Sequence, residues 1–344
     1  MSASGLDKNT RRNSGPPTSA VIAGLGTCLP SKEIHNASLV GELDTSDEWI
    51  RTRTGIESRR RADPAVSVID LACEAAGNAL RSAGVATVDG LIFATTTPER
   101  PCPAGAPEIA ARIGQGNIPA FDVSAVCSGF LYALATAGSL ITAGIADNVL
   151  VVAAETYSRI VDPADRSTAI LFGDGAGAVV LRSGPPDEPG ALLAYDLGSD
   201  GTGAHLIRIP GAREQATGER WFAMSGRKVY LQAIDGMAQS TLRVLKDCGW
   251  SAETLDQLVP HQANARIMEA LAKRLDLPPE RVVCELARTG NTAAASIPLA
   301  LADAAAAGRL RPGHRTVLTT FGGGITWASA GLIWPKLTAV TSEI

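Results

Sequence analysis

The stretch VDGLIFATTTPERP, residues 88–101, and a later one, LDQLVPHQANARI, residues 255–267, share one order of residue types. Each has an acid, a spacer, an apolar run of strand length, and a polar loop that leads toward helical spacing. NVLVVAAE (148–155) and RTVLTTFGGG (315–324) make a second such pair, each a strand run ahead of a loop. Any two α/β units share this much, so the echo alone leaves duplication open. A duplicated chain would divide near SGPPDEPG (183–190), where prolines and glycines suit a connection. The expected division is a leader over 1–18, a first half over 19–183 and a second half over 184–344.

Outward from these pairs, AVIAGLG (20–26), AFDVSA (120–125), GAGAVVLR (175–182), RVVCEL (281–286) and SAGLIWP (329–335) also read as short strands. Helix-length segments separate them, which predicts a layered α/β architecture with both sheet faces covered. With 344 residues, 45% of them apolar and 19% charged, the chain can bury an ample core. Its net charge of −4, with no basic run after Arg61, argues against nucleic acid as a partner.

The first 18 residues are polar and read as a disordered leader without the apolar core of a secretory signal. The longest apolar run, 130–143, is too short to span a bilayer, so no membrane segment is expected. The six cysteines form neither a C-x-x-C pair nor a zinc-like Cys/His spacing. They predict a reduced, cytoplasmic setting and no metal.

Cys127 stands in AFDVSAVCSGFLYALATAG (120–138), where a strand run gives way to a nearly all-apolar helix run. In the first turn of a helix a cysteine faces unpaired N–H groups and the positive end of the macrodipole, which favour thiolate. It is either core filler or a nucleophile. His261 leaves a strand in VPHQANARI and is a candidate acid, base or oxyanion donor. Asn291 lies in a Gly-Asn turn of RTGNTAAASIPLAL (288–301). The run Gly322-Gly323-Gly324 lets backbone approach a ligand and point N–H groups at an oxyanion.

In that order, DVSAVCSGF, PHQANARI, TGNTAAASIP and FGGGITW resemble the β-ketoacyl-acyl-carrier-protein synthase III family of the thiolase superfamily. DEWIRTRTGIESR (47–59) and DRSTAILFGDGAGAVVL (165–181) extend the resemblance over about Ser19 to Pro335. It implies a thiolase-like five-layered αβαβα fold from two duplicated halves, and a homodimer. The implied activity is decarboxylative Claisen condensation of an acyl-CoA primer with malonyl-acyl carrier protein, through an acyl-Cys127 intermediate. No cofactor is implied, since acyl-CoA is a substrate. His261 and Asn291 would stabilise the enolate, and the amides of Cys127 and Gly323 would form the oxyanion hole. Trp49, Arg53 and Arg166 would hold CoA, and Arg266 would meet the carrier protein. Leu231 replaces a family lysine at that contact.

Phe172 and, across a dimer, the loop TTTPERPCPAG (95–105) would shape the acyl pocket. Cys102 replaces a phenylalanine there, so primers longer than acetyl, or branched, are expected. Transfer of an acyl group to a small-molecule hydroxyl is the alternative activity. Retention of both His261 and Asn291 favours carbon–carbon bond formation over it.

Overall fold

The computed structural model describes residues 18–344 apart from 212, 216, 217 and 219. The leader expected over 1–18 therefore lies, save for Thr18, outside the described residues. The chain opens with β1 (Ser19–Leu29), β2 (Glu33–His35), α1 (Asn36–Val40), α2 (Asp47–Thr54), β3 (Ser58–Arg60) and α3 (Val68–Ala83). Next come β4 (Gly90–Ala94), α4 (Ala106–Arg112), β5 (Ala120–Val123), α5 (Gly129–Thr142), β6 (Asn148–Thr156), α6 (Arg166–Ala169) and β7 (Asp174–Gly184). After the Pro-rich connection follow β8 (Leu192–Ser199), β9 (Ile207–Arg208), β10 (Ala223–Met224), α7 (Gly226–Asp247) and β11 (Gln257–Pro260). The last elements are α8 (Ala265–Arg274), α9 (Ser296–Ala306), β12 (Arg315–Gly322), β13 (Thr326–Ile333) and β14 (Val340–Glu343).

One sheet has the order β14-β1-β7-β6-β4-β5 and a second the order β11-β12-β13-β8. Four strands of the first, β1-β7-β6-β4, match β8-β13-β12-β11 of the second. In both sets the successive pairings are antiparallel, antiparallel and parallel. Registers agree too: Gly90 pairs with Val149 and Gln257 with Thr316. The acid ahead of each strand does the same work, Asp89 accepting from the Asn148 amide and Asp256 from the Arg315 amide. The echo in the sequence is a structural duplication. At the same offset Ala94 corresponds to His261, Val126 to Ala293, Cys127 to Ala294, Gly129 to Ser296, and Glu155 to Gly322.

Three apolar cores separate five layers. The α3 and α4 helices cover the outer face of the larger sheet, α5 and α9 lie between the sheets, and α7, with α8 beside it, covers the outer face of the smaller one. Helix α3 starts at a capping box formed by Ser67 and Asp70 and stops at left-handed Gly84. Its alanines lie directly on β1, where small residues on both elements allow a close approach. A Cβ on Gly26 would sit 2.1 Å from the Ala79 amide nitrogen and 2.4 Å from the Ala75 carbonyl oxygen.

Two sequence expectations change. RVVCEL does not form a strand; Val282 makes one isolated bridge to Leu258. The buried Gln262 side chain takes the place of a strand neighbour there, donating to the Val283 carbonyl and accepting from the Glu285 amide. Strand β8, absent from the sequence expectations, lies on the edge of its sheet; its apolar start at Leu192 runs into the half-buried and exposed stretch 196–199. At the other end of the chain, β14 returns to pair with β1 in the first sheet.

Two glycines should respond oppositely to an added methyl group. Gly26→Ala meets unyielding backbone and should lose ~1–3 kcal/mol or more of unfolding free energy. Gly77→Ala, inside α3 with its nearest neighbour 3.6 Å away on a flexible arginine, should gain about 0.5–1 kcal/mol. Urea denaturation of the two variants checks both signs.

Candidate active site

The two central helices begin at the same place in the molecule. Cys127 lies in a 3-10 turn, 126–128, that runs into α5, and a corresponding turn, 293–295, runs into α9. Both turns contain a left-handed residue, Val126 at φ 49° and Ala293 at φ 45°. For a β-branched residue this conformation is strained, at a cost of order 1–3 kcal/mol. Hydroxyls from the second half hold the cysteine turn: Thr320 Oγ1 donates to the Cys127 carbonyl at 3.0 Å and Thr326 Oγ1 to the Ala125 carbonyl at 3.2 Å.

Cys127 is half-buried on the wall of a cavity of about 420 Å³. His261 and Asn291 line the same cavity, as do Phe172, Phe321 and Met237. Burial pushes the thiol above its ordinary range, with the nearby Glu155 carboxyl adding to the effect. The expected pull toward thiolate is outweighed. A helix N-terminus favours an anion by about 0.3–1 kcal/mol, up to ~2 when partly buried, whereas taking a charge out of water costs several kcal/mol.

His261 follows β11, its amide bonded to the Thr319 carbonyl at 2.8 Å. The ring is buried, and burial lowers its pKa to about 3, so the imidazole is neutral near pH 7. Its Nδ1 lies 2.7 Å from Ser296 Oγ at the start of α9. Asn291 is placed by backbone on both sides: its amide donates to Leu171 and its carbonyl accepts from Gly173. Its Oδ1 accepts from the Ala293 amide at 2.9 Å, which fixes the side-chain amide and leaves Nδ2 to donate.

Of the other sequence candidates, Trp49, Arg53, Arg266 and Phe172 line this cavity. Arg166 lies over the Trp49 ring at 5.1 Å, with Arg53 at 6.0 Å, so the three expected CoA-binding side chains form one cluster at the cavity. Phe172 stacks on Tyr157 at 4.6 Å, and Phe222 meets both edge-on. Cys102 is exposed and does not line the cavity of its own chain, because the 95–105 loop runs beside the free edge of β5. At the glycine run, the close approach to the cysteine turn is made by Gly322. A Cβ there would lie 3.0 Å from the amide nitrogens of both Cys127 and Ser128, whereas one on Gly323 would face Ile207.

Two residues near the site had no sequence expectation. Ser296 lay unremarked in the quoted TAAASIP run. Glu155 ends an apolar strand run, which hides it in the sequence, yet it is fully buried, and no cation among the described residues acts on it. Its carboxyl accepts from the Thr96 amide at 3.0 and 3.1 Å and from Thr97 Oγ1 at 2.7 Å, and burial raises it to about 7.

Comparison with known proteins gives a consistent result. The family described as 3-oxoacyl-[acyl-carrier-protein (ACP)] synthase III matches residues 121–201, and its C-terminal counterpart matches 245–334. A relative from Streptomyces coelicolor, beta-ketoacyl-[acyl-carrier-protein] synthase III 3, is 53% identical over 93% of this chain and 99% of its own. The crystal structure of 3-oxoacyl-(acyl carrier protein) synthase III from Pseudomonas aeruginosa is 52% identical, with a TM-score of 0.90 over 93% of this chain and 99% of that one. The priming beta-ketosynthase of a polyketide biosynthetic pathway is 35% identical, with a TM-score of 0.86 over 92% and 96%.

The buried His261 and Glu155 give pH effects of opposite sign. Between pH 6.5 and about 3 the unfolded chain binds a proton that native His261 refuses, so stability falls as pH drops through this range, by up to ~1.4 kcal/mol per pH unit. Native Glu155 holds a proton up to about pH 7 that the unfolded chain releases near 4.5, so its contribution is full below 4.5 and is lost as pH rises through 7. Urea midpoints across pH 4–8 should show the first slope removed in His261→Gln and the second removed in Glu155→Gln. Profiles that parallel the unsubstituted protein would contradict both assignments.

Proposed function

The chain belongs to the 3-oxoacyl-[acyl-carrier-protein] synthase III family, and from that premise we propose a reaction and a role for each residue of the cavity. The reaction is decarboxylative condensation of an acyl-CoA primer with malonyl-acyl carrier protein, which starts fatty acid or polyketide chains. The observation that carries it is the convergence of Cys127, His261 and Asn291 on one cavity from both halves of the chain. Cys127 sulfur attacks the acyl-CoA carbonyl, the bond to the CoA sulfur breaks, and the thiol proton leaves with CoA. After malonyl-carrier protein binds, the bond to its carboxylate breaks, releasing CO₂ and an enolate whose oxygen accepts from His261 Nε2–H and Asn291 Nδ2–H. The enolate carbon then attacks the acyl carbon, with the amides of Cys127 and Gly323 around the oxyanion; the bond to the Cys127 sulfur breaks, and the released thiolate takes a proton from solvent to restore the thiol. No cofactor enters this scheme.

His261 also separates the scheme from acyl transfer to a hydroxyl. A hydroxyl acceptor needs a base, and an imidazole with a pKa near 3 is a weak one. As a neutral donor, the same ring suits an enolate oxygen. At the cavity mouth Trp49, Arg53 and Arg166 would take the CoA nucleotide, and Arg266 the acidic carrier protein. The cysteines are unpaired among the described residues, and no helix there is long and apolar enough to cross a membrane; a cytoplasmic location agrees with both.

A homodimer would complete the acyl pocket. The free edge of β5 exposes Phe121 and an unpaired row of backbone groups, the kind of edge a second copy covers. The 95–105 loop is tied to that strand, since the Gly105 and Ala106 amides donate to Asp122. Pairing at β5 would carry Cys102 toward the partner's cavity, where a side chain smaller than phenylalanine leaves room for longer or branched primers.

Incubation with acyl-CoA should add one acyl mass to the protein and none to Cys127→Ala, and labelled malonyl-carrier protein should release CO₂. Labelling that survives Cys127→Ala moves the nucleophile elsewhere. With primers of increasing length, Cys102→Phe should shift preference toward acetyl by roughly 0.8 kcal/mol for each methylene excluded. An unchanged length profile places Cys102 outside the acyl pocket.

A further inference from the structure

Ser296 shares its hydroxyl oxygen between two neighbours. His261 Nδ1 lies 2.7 Å away, and the Gln262 backbone N–H donates to the same oxygen at 3.3 Å. Ser296 is 2% exposed and His261 3%, so water has little access to the pair. An amide N–H can only donate, which fixes one of the hydroxyl's contacts as an acceptance. If Nδ1 carried the ring proton, Ser296 Oγ would accept twice and its own hydrogen would have no acceptor among the described residues. If Nδ1 is bare, the hydroxyl hydrogen goes to it and all three groups are satisfied.

The duplication supplies a second, independent observation. Ser296 corresponds to Gly129 and His261 to Ala94, and the first-half pair occupies the same relative positions: a Cβ on Gly129 would lie 3.2 Å from Ala94 Cβ. One half thus has a glycine against an alanine where the other has a serine against a histidine. The hydroxyl occurs where there is a ring nitrogen to receive it. Gln262 fits the same account, since its side chain bonds Pro260, Val283 and Glu285 and thereby fixes the backbone N–H that points at Ser296.

We propose that Ser296 is a positioning residue that sets the tautomer of His261, its hydroxyl donating to Nδ1 so that the proton stays on Nε2, the nitrogen left to face the substrate. This deepens the reading of His261 as a hydrogen-bond donor to the enolate oxygen and rests on it. A histidine in the other tautomer would present a lone pair to that oxygen and repel it.

Two measurements test this. The protein has four histidines, so ¹⁵N-histidine labelling gives few resonances, and those absent from His261→Gln identify the ring. Long-range ¹H–¹⁵N correlations in the unsubstituted protein should show Nε2 protonated and Nδ1 bare; a proton on Nδ1, or exchange between tautomers, overturns the proposal. In Ser296→Ala the ratio of the condensation rate to the rate of Cys127 acylation should fall by roughly tenfold or more, with Ser296→Thr recovering most of it. An unchanged ratio, including an equal fall in both rates, overturns it too. Should the unsubstituted protein release no CO₂ from malonyl-carrier protein, the proposed function fails, while the spectrum still decides the role of Ser296.

Discussion

The amide of Cys127 lies at the start of a central helix with Gly322 of β12 close against it, and that contact organises the centre of the molecule. Position 322 must come close enough to seal the turn, yet carry no atom beyond Cα, since a Cβ would lie 3.0 Å from the amides of Cys127 and Ser128. The duplicated partner of this position is Glu155, which fills the corresponding space with a carboxyl group; the Ala294 amide is among the groups that hold its pKa down. The fold therefore builds two helix starts of one kind. One is closed by a side chain of the protein, where an anion is favoured by the dipole. The other has a glycine in that place, and the proposed reaction puts a substrate oxygen there.

The same comparison explains why one fold, used twice, makes one site. The strand ends that meet the central helices carry Ala94 in the first half and His261 in the second, while the helix starts carry Cys127 in the first and Ala294 in the second. Each half contributes what the other lacks. A cavity between them then collects Cys127 from one half and His261 and Asn291 from the other, which no single half can do. The backbone bridge between Phe172 and Asn291 ties the two halves at that seam.

The sequence carries an echo of the duplication because paired strands need the same apolar run and the same acid to hold the next strand's amide, as Asp89 and Asp256 do. Cys127, His261 and Asn291 were legible because each sits at a punctuation point, the end of a strand or a turn before a helix, where a reactive residue type stands out. Ser296 and Glu155 were not. Ser296 opens an Ala-rich helix where a serine has several ordinary uses, and its meaning lies in a hydroxyl 2.7 Å from a ring 35 residues earlier in the chain. Glu155 ends an apolar run, and nothing local says that its carboxyl will be buried. The strand expected over RVVCEL failed for a related reason: backbone pairing to β11 stops after the Val283 amide meets the Leu258 carbonyl, and the Gln262 side chain takes the next carbonyl and the Glu285 amide. Local pattern records which face is apolar; it does not record which polar group from elsewhere arrives there.

The electrostatics of the cavity follow the charge through the proposed reaction. In the resting protein the thiol holds its proton and the imidazole has none to spare, so neither Cys127 nor His261 is itself an ion. Acyl transfer leaves that balance unchanged, because the thiol proton departs with CoA. The first charge to enter is the malonyl carboxylate, and decarboxylation moves it to the enolate oxygen without creating another. A protonated histidine would attract the carboxylate as strongly as the enolate and would deepen the ground state along with the transition state. Neutral donors aimed at the place where the charge arrives act mainly after it has moved. That selectivity follows from burying His261, and burial is tolerable because Ser296 and the Thr319 carbonyl satisfy the Nδ1 and the amide that it removes from water.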